Sequence, residues 1–211
     1  MQPNYRTSVD LMVQSLEEFP WDSKIAYAEF LAQTYYYIRH STRLLAASAS
    51  RFSQEDQAMH KRFMKHSDEE NSHELLAVRD LQKLGYKMED FPELPQTRSF
   101  YEVQYYKIEH CDPAALLGYI LALEVTATHL APIQKKLTGL YGKECVKLIQ
   151  VHSDEDPDHV EKALKSISAL ADWRVKEIQV NIEQSAILYA GMIEAVKARA
   201  LSVSNNRKKA A

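Results

Sequence analysis

The sequence predicts an all-α fold, a bundle of about seven helices. The chain has 211 residues but only 5 glycines, whereas a β-sandwich needs turn residues about every 8–12 positions. Apolar residues recur with the 3.6-residue period of an amphipathic helix over most of the chain. Hydrophobic residues make up 45% of the sequence. These three observations favour a helical domain with one buried core.

Residues that start or stop helices divide the chain into segments. Pro20 ends the first segment, and Asp22 or Ser23 can cap the second. Gly85 suits the position just after the C-terminus of the third helix. Asp112 followed by Pro113 is typical of a helix start. The predicted helices cover residues 9–19, 24–50, 54–84, 98–110, 113–132, 142–170 and 172–202.

Length predicts a single domain, residues 1–203, followed by a basic and disordered tail, residues 204–211, and two cysteines expected to be free thiols predict a cytoplasmic protein. A net charge of −3 gives no signature of a nucleic-acid-binding protein. The longest apolar run, residues 114–123, is about half of a membrane span, so no membrane partner is expected. The first residues lack the basic and apolar regions of a signal peptide. Cys111 and Cys145 form no metal or redox motif.

Three apolar stripes contain ionisable residues near the middle of their helices. Glu124 is the one charged residue in the apolar segment "LLGYILALEVTA". The stripe of the third helix comprises Met59, Phe63, His66, Glu70, His73, Ala77, Leu81 and Leu84. The stripe of the sixth comprises Cys145, Leu148, His152, Asp156, His159, Ala163, Ile167 and Leu170. Each of the three stripes is apolar at its ends and ionisable near mid-helix. The ionisable groups are therefore expected to meet at one level of the bundle.

Buried carboxylates and imidazoles need a partner, since an unpaired buried charge costs several kcal/mol. The facing stripes contain no Lys or Arg, whereas a divalent cation would offset the carboxylates directly. Because the donor set contains no thiolate, it suits iron or manganese and does not specifically select zinc. The sequence therefore predicts a metal site formed by Glu70, His73, Glu124, His152, Asp156 and His159.

The same segments resemble the haem-oxygenase-like iron-containing oxidases, a family with two non-haem irons in a haem-oxygenase-type helical bundle. "QTYYYIRHSTRLLAA" is similar to the aromatic early helix of the family, and "HSDEENSHELLAVRDLQKLGY" to its E-E-x-x-H helix. "LLGYILALEVTA" resembles the helix that supplies a central Glu, and "HSDEDPDH" the H-x3-D-x2-H signature. The likeness covers roughly residues 27–165.

This resemblance implies that the six predicted ligands hold two irons, with manganese as an alternative metal and no haem. Glu70 is preferred for the remaining carboxylate position, with Glu69 or His66 as alternatives. The family chemistry is O2 activation followed by oxidation of a small organic substrate that is amino-acid-, amine- or fatty-acid-like. Candidates for substrate or redox contacts on the early helix are Tyr35, Tyr36, Tyr37, Arg39 and His40.

Other functions remain open from the sequence alone. A ferritin-like di-metal carboxylate protein would need two E-x-x-H helices, and this chain has one together with Asp156-x-x-His159. A metal-free, thiaminase-like or cofactor-free member of the same fold would need a reactive cysteine, whereas Cys145 has the phase of a buried thiol. A haem oxygenase would use His40 as an axial ligand and leave the other histidines unexplained. A homodimer is also left open.

Overall fold

The computed structural model describes the backbone of residues 2–210 and the side chains of residues 2–154 and 159–202. Within those residues all regular structure is helical, as predicted. The α-helices are α1 (Arg6–Glu17), α2 (Lys24–Ile38), α3 (Ser41–Arg51), α4 (Gln57–Glu69), α5 (Glu74–Lys83), α6 (Pro95–His110), α7 (Leu116–Ala127), α8 (Ala131–Tyr141), α9 (Lys147–Ser168) and α10 (Asp172–Ala210). The predicted tail, residues 204–211, lies outside the residues whose side chains are described, and the predicted domain limits stay a prediction.

Helix α7 lies at the centre of the bundle. Its residues are almost all apolar and buried, and it packs against α1, α9 and α10. Asn181 of α10 donates hydrogen bonds to the Gln104 side chain on α6 and to the Ala115 carbonyl, at 2.8 and 2.7 Å. These bonds hold three helices in register at the N-terminal end of α7.

No single helix in the described part of the chain is long and apolar enough to cross a membrane. The segments Pro113–Ala127 and Ala131–Tyr141, bent by 59° at their junction, pass that test together by length and composition alone.

Several predicted helix ends are confirmed by local contacts. The Ser23 side chain accepts a hydrogen bond from the Ala26 N–H at 3.4 Å, and Asp112 accepts one from the Ala114 N–H at 2.8 Å. Gly85 follows the C-terminus of α5 with a φ of +84°, in the left-handed region that favours glycine.

The predicted helix over residues 24–50 is instead two helices, with the break at Arg39 and His40. Helix α2 packs against α5, α6 and α10, whereas α3 packs against α4 and α6. The His40 ring stacks on Tyr101 with ring centroids 3.9 Å apart. Periodicity could not show this break because each half keeps an apolar face, and only the packing partners change between them.

The predicted helix over residues 54–84 is also broken, between α4 and α5. Glu70 caps the C-terminus of α4, and His73 precedes the first residue of α5. Between them Ser72 has a φ of +72°, in the left-handed region that L-residues other than glycine, Asn and Asp rarely adopt. The E-x-x-H motif therefore lies in a turn, and the turn sets the separation of its two side chains.

Replacing Ser72 with glycine should raise the free energy of unfolding by about 0.5–1 kcal/mol, because glycine adopts this conformation without steric cost. Urea denaturation measures the change. The matched control is Ser99→Gly, at an exposed position inside α6, which should lower stability by a few tenths of a kcal/mol. Equal loss in both variants would show that Ser72 carries no backbone strain.

Candidate metal centre

Among the described residues, the histidines and glutamates singled out from the sequence converge from α4, α7, α9 and the turn between α4 and α5. His66 lies on α4, Glu124 on α7 and His159 on α9, and all three are buried. Glu70 and His73 lie at the two ends of the turn after α4. These elements meet near the middle of the bundle, as their positions on the apolar stripes predicted.

His66, Glu124 and His159 form the tightest group. Glu124 Oε1 lies 3.4 Å from His66 Nε2 and 3.7 Å from His159 Nδ1. The two imidazole centroids are 5.1 Å apart. One donor atom from each of the three residues lies within 4.8 Å of the other two. These three buried side chains therefore present two imidazoles and one carboxylate to a single point.

A second group adjoins the first through Glu70. One Glu70 oxygen lies 3.5 Å from His66 Nε2 and the other 3.6 Å from His73 Nδ1. The rings of His73 and His152 are 5.4 Å apart. Glu70 thus contacts an imidazole of each group and links the two groups.

The Glu70 side chain is held in its ionised form. Burial alone would raise its pKa, but the adjacent imidazoles of His66 and His73 and the charge of His152 hold the pKa well below the usual range of a glutamic acid. An ionised carboxylate between imidazoles is the form in which Glu binds a metal ion.

The alternatives for the remaining carboxylate position also lie beside the centre. His66, offered from the sequence as an alternative to Glu70, belongs to the tightest group. Glu69 Oε2 is 3.9 Å from His159 Nε2, while its Oε1 pairs with Lys65 at 3.2 Å. The side chain of Asp156 lies outside the described residues, so its role stays a prediction. The structure brings the other five predicted ligands together.

Arg62 is a member of this environment that the sequence did not indicate. It lies one turn before His66 on α4 and is partly buried. Burial lowers the pKa of Arg62, and the negative charges of Glu124 and Glu69 oppose that shift. The facing stripes contain no Lys or Arg, but Arg62, beside the stripe of α4, brings a positive charge that acts on Glu124 and Glu69. One guanidinium offsets only part of the negative charge of the centre, because Glu69 and Glu124 both act on it and Glu70 is a further carboxylate.

The donor set fits the metal that the resemblance implies. It combines imidazole nitrogens with carboxylate oxygens and contains no thiolate, a composition that suits iron and manganese and is compatible with zinc. Cys145 is buried and Cys111 is exposed, and neither belongs to the described His and Glu group. The residues present can hold an iron centre.

Asp80 positions the helix that carries His152 and His159. This fully buried residue of α5 accepts a hydrogen bond from the Leu148 N–H, at 2.9 Å, in the first turn of α9. Burial raises the pKa of Asp80 to about 6, although the Leu148 N–H acts against that shift. No sequence motif indicated this contact, because Asp80 caps a helix that lies 68 residues further along the chain.

The aromatic residues predicted to contact a substrate separate into two groups. Tyr37 is buried and lines a cavity beside Glu70 and Glu124. Tyr35 and Tyr36 lie instead under the Arg39 guanidinium, 5.7 and 5.0 Å from their ring centroids. Arg39 also pairs with Glu93 at 3.5 Å.

His40 lies in a separate, filled environment. Its Nδ1 is 2.9 Å from the Tyr105 hydroxyl, and its ring stacks on Tyr101. Burial, with the nearby charges of Arg39 and Arg43, lowers the His40 pKa to about 4. The ring is therefore neutral at physiological pH and packed between aromatic side chains.

A largely apolar cavity of about 120 Å³ opens beside the candidate metal centre. Leucines, isoleucines and tyrosines from α2, α3, α7, α9 and α10 line it, and its ionisable end is formed by His66, Glu70, Glu124 and His152. An apolar cavity with a few convergent polar groups is the usual form of a small-molecule site.

An all-α bundle that directs imidazoles and carboxylates at one wall of an apolar cavity defines a candidate metalloenzyme. The chain belongs to the family of haem-oxygenase-like iron-containing redox enzymes, whose family model matches residues 28–189. This match confirms the family that the sequence motifs indicated.

Solved structures show the same fold. A domain of unknown function with a haem oxygenase-like fold from Shewanella denitrificans OS217 superposes with a TM-score of 0.81 at 21% identity, covering 90% of this chain and 89% of its own. A TenA homologue from P. horikoshii OT3 gives 0.71 at 14% identity, covering 92% and 96%. A TenA homologue from Pseudomonas syringae pv. tomato DC3000 gives 0.69 at 10% identity, covering 92% and 93%. No curated protein matches the sequence.

Proposed function

We propose that this protein is a non-haem iron oxidoreductase that holds up to two ferrous ions, activates O2 and oxidises a small organic molecule bound in the adjoining cavity. The observation that carries the proposal is the position of Glu70 between two imidazole-containing groups. His66, Glu124 and His159 form one group, and His73 with His152 forms the other. Membership of a family of iron-containing redox enzymes supports the metal and the reaction type.

The protein's own side chains would bind the iron, orient the substrate and shield the reacting atoms from bulk water. His66, Glu124 and His159 would hold one iron, and Glu70, His73 and His152 the other, with Asp156 as a further ligand. When bound, ferrous iron supplies the electrons for O2 reduction. The apolar walls of the cavity would keep bulk water from the reacting atoms and place the substrate beside the ligands.

Metal loading tests the proposal. Metal-free protein incubated with Fe(II) under anaerobic conditions and then desalted should retain up to two irons per chain by elemental analysis. Its spectrum should show no haem absorption. Exposure to air should then produce O2 consumption, measured with an oxygen electrode, that depends on the iron content. Parallel loading with Mn(II) tests the alternative metal. Retention of no transition metal after loading would refute the proposal.

The same experiment separates the competing functions. A ferritin-like storage protein would accumulate many irons per chain, whereas the groups described here can hold about two. A hydrolase with a cysteine nucleophile would need an accessible, readily ionised thiol. Burial raises the pKa of Cys145, and that residue does not line the cavity beside Glu124. The location of Cys145 therefore favours the metal-dependent function over the thiaminase-like one.

A further inference from the structure

Helix α10 carries a row of large apolar side chains on its solvent-facing side. Among the described residues, four such side chains of α10 are between 43% and 65% exposed: Trp173, Val180, Ile187 and Leu201. The other exposed large apolar side chains lie singly on α1, α4, α5, α6 and α8, and single ones are ordinary at a protein surface. Four on one helix form a patch, here called the outer stripe of α10, and such a patch marks an interaction surface.

The spacing of the outer stripe places its members on one face of the helix. Trp173, Val180 and Ile187 are seven residues apart, which is about two turns, and Leu201 follows 14 residues later. The opposite face of α10 packs against α1, α2, α6 and α7. The helix therefore has a second apolar face that points away from its own bundle. An apolar residue every seven positions is the pattern by which one helix packs lengthwise against another.

Two oppositely charged residues lie on the same face as the outer stripe. Lys176 lies near its N-terminal end and Glu194 near its C-terminal end, and both are exposed. One Glu194 oxygen pairs with Lys197 of the same helix at 2.6 Å, yet the Glu194 side chain stays 60% exposed. Glu183 lies at the edge of the face and accepts a hydrogen bond from Gln179 at 2.7 Å. The two glutamates would be repelled by an anionic lipid surface, so the charges favour a protein partner.

We propose that the outer stripe is the contact surface between two copies of this chain, whose α10 helices pack antiparallel about a twofold axis near residue 185, the midpoint of residues 176 and 194. The ends of the helices cross in such a pair, so Lys176 of each copy faces Glu194 of the other. A parallel pair would instead place Lys176 against Lys176 and Glu194 against Glu194, and like charges in register are unfavourable. Ile187 lies beside the axis, where the two copies of this side chain meet.

The size of the outer stripe indicates a reversible dimer. From residue 173 to residue 201 the helix is about 42 Å long, and a face about 10 Å wide would bury about 400 Å² per copy. A stable interface of standard size buries about 800 Å² per partner. We therefore expect a dissociation constant in the micromolar range. The inference needs no bound metal, so its failure would be distinguishable from failure of the proposed function.

Sedimentation equilibrium of the full-length protein at low salt measures the dissociation constant of the dimer. Ile187→Lys should raise this constant at least about tenfold, because two lysines would then meet beside the axis. Leu140→Lys is the matched control, since Leu140 is a large apolar residue, 46% exposed, on α8, which packs against α9. This control should keep the wild-type constant. An equal effect of both substitutions would overturn the proposal.

The wild type alone also tests the proposal. A chain that stays monomeric at about 0.5 mM, far above a micromolar dissociation constant, would overturn it, whether or not the outer stripe binds added phospholipid vesicles.

Charge exchange tests the antiparallel pairing. Lys176→Glu and Glu194→Lys should each raise the dissociation constant about three- to tenfold, because each change turns both pairs between the copies into like-charge pairs. The double variant restores opposite charges and should return to within about twofold of the wild type. It does not restore the contact of Glu194 with Lys197 inside the helix, so the recovery reports the contact between copies. Circular dichroism should show that all variants stay folded, since the substituted side chains are exposed. No recovery in the double variant would contradict the pairing.

Discussion

Glu124→Gln is expected to abolish iron-dependent O2 consumption, with a loss of at least about 100-fold. The carboxylate lies between His66 and His159, with one oxygen 3.4 and 3.7 Å from their ring nitrogens. An amide of the same shape has no negative charge to offset a metal ion, and changes even in residues that only support metal ligands cost about 10- to 100-fold. Iron retained after anaerobic loading should fall in parallel. Elemental analysis and an oxygen electrode measure the two effects.

Glu29→Gln is the matched control, because Glu29 is also a buried glutamate but pairs with Gln33 and Arg199 away from the candidate centre. It should retain the iron content and O2 consumption of the wild type. Circular dichroism should show that both variants keep their helical content. Full iron binding and activity in Glu124→Gln would contradict the proposed centre.

Gly118→Ala is expected to destabilise the protein by about 1–3 kcal/mol, the typical range for forced overpacking of a core. A Cβ atom at Gly118 would lie 2.4 Å from the Ile178 carbonyl oxygen and 2.9 Å from the Ile182 nitrogen of α10. Both are backbone atoms, so α7 and α10 would have to separate. The higher helix propensity of alanine would by itself stabilise the variant by about 1 kcal/mol, so the overpacking must exceed this gain. Chemical denaturation measures the change.

Gly191→Ala on α10 is the control, because a Cβ atom there meets no atom within 4 Å. This variant should be stabilised by about 0.5–1 kcal/mol through helix propensity alone. Because α7 also carries Glu124, Gly118→Ala should reduce iron retention, whereas Gly191→Ala should not. A stability of Gly118→Ala equal to that of the wild type would show that the two helices can separate without cost.

The sequence determined the features that depend on local chemistry and on burial. Helical periodicity identified the all-α fold, and Ser23, Gly85 and Asp112 marked helix ends that the structure confirms. The ionisable residues occupy the same helical faces as the apolar stripes. That position predicted that Glu124 is buried and that His73, His152 and His159 belong to the same metal site. Periodicity succeeds here because it reports whether a side chain faces the core.

Only the tertiary structure decided which groups meet. Periodicity does not report the partner helix, so the electrostatic interaction of Arg62 with Glu124 and Glu69 and the capping of α9 by Asp80 were not predictable. The left-handed turn at Ser72 was also hidden, since tertiary packing overrides local propensity there. Which side chains of different helices lie within reach of one another depends on how the helices pack, and those distances exist only in the folded chain.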